Sequence, residues 1–121
     1  LEKHMKAAKD LVRHALSLAK PRKDELLYGV IGAPAQASIK NKSQIIEAAK
    51  DHLDAVMICS EPFAVAYGLD LLEDTLVIDV GAGTVDLCRM HGTMPTEEDQ
   101  LTLTTAGDWL DQQLSRMPQR A

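Results

Sequence analysis

Leu76-Val77-Ile78-Asp79-Val80-Gly81-Ala82-Gly83-Thr84-Val85-Asp86-Leu87 carries an apolar run to a carboxylate and then opens into a glycine loop. Three successive apolar residues, Leu76 to Ile78, suit a strand in a sheet covered on both faces, so Val77, Ile78 and Val80 are expected to be nearly inaccessible. Asp79 is the odd residue in that run. An ionised carboxylate at the end of a buried strand is costly unless a cation or several donors meet it, and Mg²⁺ held by one or two carboxylates plus phosphate oxygens is a sufficient partner. Gly81 and Gly83 allow the backbone to approach a phosphate closely and aim its N–H groups at it. Taken alone, Gly-Ala-Gly-Thr fits a tight turn with Asp79 capping its own loop equally well.

The residues after the loop narrow the choice. A dinucleotide fingerprint needs a third glycine opening a helix, but Asp86 stands at that place. A Walker A loop needs Gly-Lys-Ser/Thr, and no such tripeptide occurs in the chain. Instead Thr84, Val85, Leu87, Cys88 and Met90 are mostly strand formers, closed by His91-Gly92. The pattern predicts a second strand, so the glycine loop is the tip of a β-hairpin.

Upstream, Leu1, Met5, Ala8, Val12, Ala15, Leu16 and Ala19 recur at three and four residues, which predicts an amphipathic helix stopped by Pro21. Leu27 to Ile31 reads as a strand broken by Gly32-Ala33-Pro34. Asn41, with Gln44 three positions on, resembles a capping box for a helix carrying Ile45, Ile46, Ala49 and Leu53. Ala55 to Cys59 is a further buried strand, followed by a short helix with Pro62 in its first turn and Gly68 at a left-handed end. Leu101, Leu103 and Thr105 alternate with Thr102 and Thr104 as a last strand. Strand, helix, strand, helix and then strands alone place a boundary near residue 74. Residues 1–74 form the end of a βαβα unit with a parallel sheet, and residues 75–121 begin a new sheet. The tail after Leu114 is expected to fray.

Composition bounds the partners. With 121 residues and 45% apolar content the chain can bury a modest core. A net charge of −5 argues against nucleic acid as the main partner, because no basic stripe is present to replace phosphate counterions. No apolar run approaches a membrane span. Cys59 and Cys88 each lie inside an apolar segment and read as buried reduced thiols, and the four histidines show no metal-ligand spacing. The chain begins at Leu1 without a methionine, as a piece of a larger protein would.

Glu61 lies at the C-terminal end of the second strand, where ligands sit in open α/β sheets. It can equally serve the next helix, as a cap and as a negative charge on the helix dipole.

The hairpin from Asp79 to Asp86, preceded by Glu61-Pro62-Phe63-Ala64-Val65-Ala66-Tyr67-Gly68 and followed by Ala106-Gly107-Asp108-Trp109-Leu110-Asp111, resembles three signatures of the actin, sugar kinase and seventy-kilodalton chaperone ATPase superfamily. These are its second phosphate motif, its first connecting helix, and a helix start in its second domain. The wording from Ser60 to Leu72 and from Cys88 to Glu98 is most similar to the magnetosome-associated bacterial actins. The resemblance covers about residues 28 to 112 and implies part of an α/β, ribonuclease H-like actin ATPase fold. It implies that residues 1–74 complete a first subdomain and residues 75–121 start a second.

The same resemblance implies ATP and Mg²⁺ as cofactors. Glu61 would orient and activate the attacking water, and Asp79 would hold Mg²⁺ through water. Gly81, Ala82, Gly83 and Thr84 would meet the β- and γ-phosphates. Asp86 would act as a carboxylate behind them or stand as an exposed strand residue. Gly107 and Asp108 would line the nucleotide edge or simply start a helix. A cytoplasmic filament that self-associates and works with magnetosome-associated proteins is implied, with neither nucleic acid nor a membrane span. The superfamily's first phosphate hairpin and adenosine motif have no counterpart in these residues, so the isolated chain is expected to be an inactive ATPase with apolar surface exposed on its sheets. The alternatives are a chaperone-type or sugar-kinase-type ATPase of the same fold, and a non-catalytic module that binds or caps filaments of a longer relative.

Overall fold

The computed structural model describes residues 2–118. In chain order it contains α1 (Glu2–Ala19), β1 (Tyr28–Ala33), α2 (Ile39–Ala49), β2 (Ala55–Ser60), α3 (Glu61–Gly68), β3 (Thr75–Val80), β4 (Val85–Met90), a 3-10 turn (Glu97–Asp99), β5 (Gln100–Leu103) and α4 (Gly107–Arg116). Two compact units result. One holds α1, β1, α2 and β2 as far as Cys59, and the other holds Pro34–Gln36 and everything from Ser60 onward. The expected place of Leu1 in the first helix lies outside the described residues, as do positions 119–121 of the tail.

In the first unit, Met5, Ala8, Val12 and Leu16 form the half-buried stripe of α1, which packs on α2. Lys20 takes a left-handed conformation (φ 50°) and ends the helix one residue before Pro21. Lys9 Nζ reaches Asp51 Oδ2 at 3.1 Å across the two helices. The helix α2 starts earlier than Asn41 and Gln44 suggested. Ser38 is its N-cap, its Oγ accepting the Asn41 N–H at 3.2 Å. Ala48 and Ala49 are buried on its inner side. Strand β1 continues past Ile31 to Ala33, which is buried, and pairs with β2 in a two-stranded sheet. Gly29 has no room for a side chain because Leu53 occupies that space.

The second unit is a three-stranded antiparallel sheet, β3-β4-β5, with α3 on one face. Pro62 sits in the first turn of α3, where its missing N–H leaves nothing unpaired. The left-handed residue after this helix is Asp70 (φ 57°) rather than Gly68, so the chain turns two residues later than expected. Ala66, Cys88 and Met90 form the core, with Phe63, Leu72 and Val77 packed against it. Both cysteines are free, Cys88 buried and Cys59 half-buried.

The register sets the two faces of the sheet. Val77 lies opposite Cys88, and Asp79 lies opposite Asp86, on the α3 side. Leu76, Ile78 and Val80 point the other way and are 59%, 58% and 66% exposed, so the expectation of a strand covered on both faces fails. Successive side chains in a strand point to opposite faces, and α3 covers only one of them. Leu101 and Leu103 are exposed on the same outer face.

Two features tie off the far end of the hairpin. Gly92, at φ 86°, donates its N–H to Leu72 O at 2.9 Å. Asp99 gathers Arg89 Nη2 (2.9 Å), His91 Nε2 (3.1 Å) and the Thr96 N–H (3.0 Å), which fixes the turn into β5. These donors, led by the Thr96 N–H, hold its carboxyl well below the usual carboxylate range.

Candidate functional site

Val80 and Val85 are the last pair of the β3–β4 ladder, and the Gly81 N–H donates to Thr84 O at 2.9 Å to close the loop. The expected tight turn between antiparallel strands is therefore present, and no helix starts at Gly83. Gly81, Ala82 and Gly83 are exposed, and Thr84 is half-buried. Among the described residues the N–H groups of Ala82 and Gly83 find no internal acceptor. A Cβ on Gly83 would meet nothing within 4 Å, so the fold itself leaves open space there.

The loop rests on the start of α4. The Gly107 N–H donates to Gly81 O at 3.1 Å, and the Asp108 N–H donates to Ala82 O at 2.9 Å. Unpaired N–H groups at a helix start carry partial positive charge, and here they are spent on loop carbonyls. Gly107 suits this approach, since a Cβ would stand 3.3 Å from Gly81 O and 3.4 Å from Ala82 Cα and the loop backbone would have to give by a few tenths of an ångström. The Asp108 side chain is exposed.

At the other end of the loop, Thr84 Oγ1 donates to Asp86 Oδ2 at 2.8 Å. Asp86 is 1% exposed and is not an exposed strand residue. Its Oδ1 accepts the Ala35 N–H at 2.8 Å and the Thr102 hydroxyl. Donors from three segments thus meet one buried carboxylate, which keeps an otherwise costly charge in place. Asp79, Asp86 and Thr102 form one row across β3, β4 and β5, next to the Val80, Val85 and Leu103 row that ends at the loop.

Glu61 is the first residue of α3, after Ser60 at the N-cap. The Ser60 hydroxyl makes no capping bond and is buried without a partner. Burial raises the Glu61 carboxyl above its ordinary value, and the charges of Asp86 and Asp79 raise it further. The structure thus brings Glu61, Asp79 and Asp86 within electrostatic reach of one another beside the loop. Asp86 is already met by its three donors, which leaves Glu61 and Asp79 as the carboxylates whose oxygens suit a hard cation such as Mg²⁺. Among the described residues no three metal-binding side chains converge closely enough to ligate an ion directly.

Sequence reasoning did not find Gln36, Ala35 or Thr102. The partners of Thr102 in segment 34–36 lie 66 positions away, and no local pattern joins them.

No family profile matches the chain. It is 42% identical to the actin-like protein MamK of Magnetospirillum gryphiswaldense over 113 residues, which cover 93% of this chain and 31% of that protein. The structure superposes on a MamK double helical filament with a TM-score of 0.88 at 40% identity, over 95% of this chain and 35% of the other. A non-polymerising MamK mutant bound to AMPPNP gives a TM-score of 0.71 at 40% identity, over 94% of this chain and 35% of that one. Over nearly its whole length the chain is a homologue of these actin-like proteins. It has part of the actin-like, ribonuclease H-like ATPase fold, and it spans about a third of the length of these relatives. Glu61, Asp79 and Gly107, in the three stretches on which the resemblance of the sequence rests, all fall in the unit that holds the hairpin.

Proposed function

We propose that this actin-like chain is part of an ATP-binding, ATP-hydrolysing cytoskeletal filament protein that serves magnetosome organisation in the cytoplasm. In this reading residues 1–74 complete a first subdomain and residues 75–121 open a second. The observation that carries it is the glycine loop clamped at both ends, with the N–H groups of Ala82 and Gly83 left free and the cross-strand pair Asp79 and Asp86 behind it. Self-association is supported by the filament structure of a relative, and magnetosome partners rest on the resemblance of the sequence alone.

The chemistry asked of these residues is mainly positioning. The free N–H groups of Ala82 and Gly83 meet phosphate oxygens, and the open space at Gly83 admits them. Gly107 and Asp108 act by holding the loop carbonyls away, so that the N–H groups face outward. Asp79 would hold Mg²⁺, and the ion would supply charge neutralisation for the phosphates when bound. Glu61 accepts a proton from, or orients, the attacking water. Burial raises its carboxyl, the direction that makes a carboxylate a stronger base.

The test places this segment in a complete actin-like chain, by exchange for the matching segment of a full-length relative. Mg²⁺-dependent ATP hydrolysis by the exchanged protein is the expected result. Binding of AMPPNP without hydrolysis would reduce the reading to a binding module. Absence of both, in a folded product, would overturn it.

A further inference from the structure

We propose that Thr102 and Gln36 are positioning residues of the phosphate site, which hold Asp86 at a fixed orientation and so fix the Thr84 end of the loop. The claim rests on the ATPase reading above. Thr102 N–H donates to Gln36 Oε1 at 2.8 Å, and Gln36 N–H donates to Thr102 Oγ1 at 3.0 Å. The Gln36 N–H takes one lone pair of the Thr102 hydroxyl, and because an ionised carboxylate only accepts, the hydroxyl donates its proton to Asp86 Oδ1. Asp86 Oδ2 then receives the Thr84 hydroxyl.

A chain of directed hydrogen bonds therefore runs from Gln36 through Thr102 and Asp86 to Thr84. Each step has its donor and acceptor settled by the next, and the segment 34–36 adds the Ala35 N–H to the same Asp86 oxygen. Neither Thr102 nor Gln36 touches the loop. They act on it through Asp86, as α4 acts on the opposite end through Gly81 and Ala82. A loop held at both ends keeps its free N–H groups aimed without reorganisation when charge shifts on a phosphate, which is the condition for electrostatic catalysis.

The experiment uses the protein carrying this segment in a complete actin-like chain. Thr102→Val keeps the shape and the backbone N–H but removes the hydroxyl. It is expected to lower kcat for ATP about tenfold, the loss of one hydrogen bond to a charged group, with KM changed by less than about twofold. Thr102→Ser, which restores the hydroxyl, should recover most of kcat. A general loss of structure would raise KM and lower the melting temperature for both variants together. Unchanged kcat in Thr102→Val, or no recovery in Thr102→Ser, would overturn the proposal. If the parent protein hydrolyses no ATP, it is the ATPase reading that has failed. The hydrogen-bond chain is then decided by amide exchange: faster exchange at Ala35 and Gln36 in Thr102→Val supports it, and unchanged exchange refutes it.

Discussion

The N–H of Asp108 points at the carbonyl oxygen of Ala82, 2.9 Å away, so the first turn of α4 is a rest for the hairpin loop. Two glycines flank this contact with opposite demands. Gly107 is closed in by the loop, whereas Gly83 faces open space.

Gly107→Ala should therefore destabilise the unit by about 1–3 kcal/mol, the usual range for an added group in a packed place. Urea unfolding measures it. Gly83→Ala should leave stability unchanged or raise it by about 0.4–1 kcal/mol, since the residue is not left-handed and the unfolded chain loses freedom. Its effect should appear instead as weaker AMPPNP binding by the complete protein, read by calorimetry.

Glu61→Ala in the complete protein should reduce hydrolysis by roughly 10²–10⁴-fold while nucleotide binding stays nearly intact. Asp79→Ala should weaken both, because the cation is lost with it. A Glu61→Ala protein that hydrolyses at the parent rate but melts lower would return Glu61 to a role in the helix start alone.

Glu61 also predicts a pH dependence. Its folded pKa is raised above the ordinary value of 4.5, so the folded state binds the proton more tightly than the unfolded one. The stability it contributes is complete below that value and is lost as pH rises through the raised pKa. Melting temperatures of the parent should fall relative to Glu61→Gln across this window and stay parallel above it.

Asp99 behaves in the opposite sense. Its folded pKa is depressed, first by the Thr96 N–H and then by His91 and Arg89. Its contribution is present above the ordinary value of 3.8 and is lost as pH falls below it. Asp99→Asn should melt lower than the parent at neutral pH, and the gap should close in acid.

The isolated chain should release no phosphate above a protein-free control and should self-associate through the outer face of its second sheet. Leu76, Ile78 and Val80 are exposed there beside Leu101 and Leu103. Apolar surface of this extent favours association. Ile78→Lys should shift sedimentation toward the monomer without changing the circular dichroism spectrum.

The hairpin was legible because strand formers stand on both sides of Gly81–Thr84, and Asp79 and Asp86 were legible as carboxylates at its ends. The covering of β3 was not. Leu76, Val77 and Ile78 are all apolar, and composition alone does not say that the fold supplies a cover to Val77 only. The start of α2 was misplaced because Asn41 with Gln44 looks like a cap, while Ser38 was already in place to accept the Asn41 N–H. Asp86 was open between an exposed residue and a buried one. Its donors come from Ala35 and Thr102, and contacts of such long range leave no periodic trace in the chain.

The bond from Gly92 to Leu72 gives the β3–β4 ribbon a fastened heel. Six residues at about 3.3 Å each make a stiff arm of about 20 Å from that heel to the glycine tip. The outer row of Leu76, Ile78 and Val80 lies along this arm, so a surface that covers those three side chains sits at a fixed distance from the glycine tip.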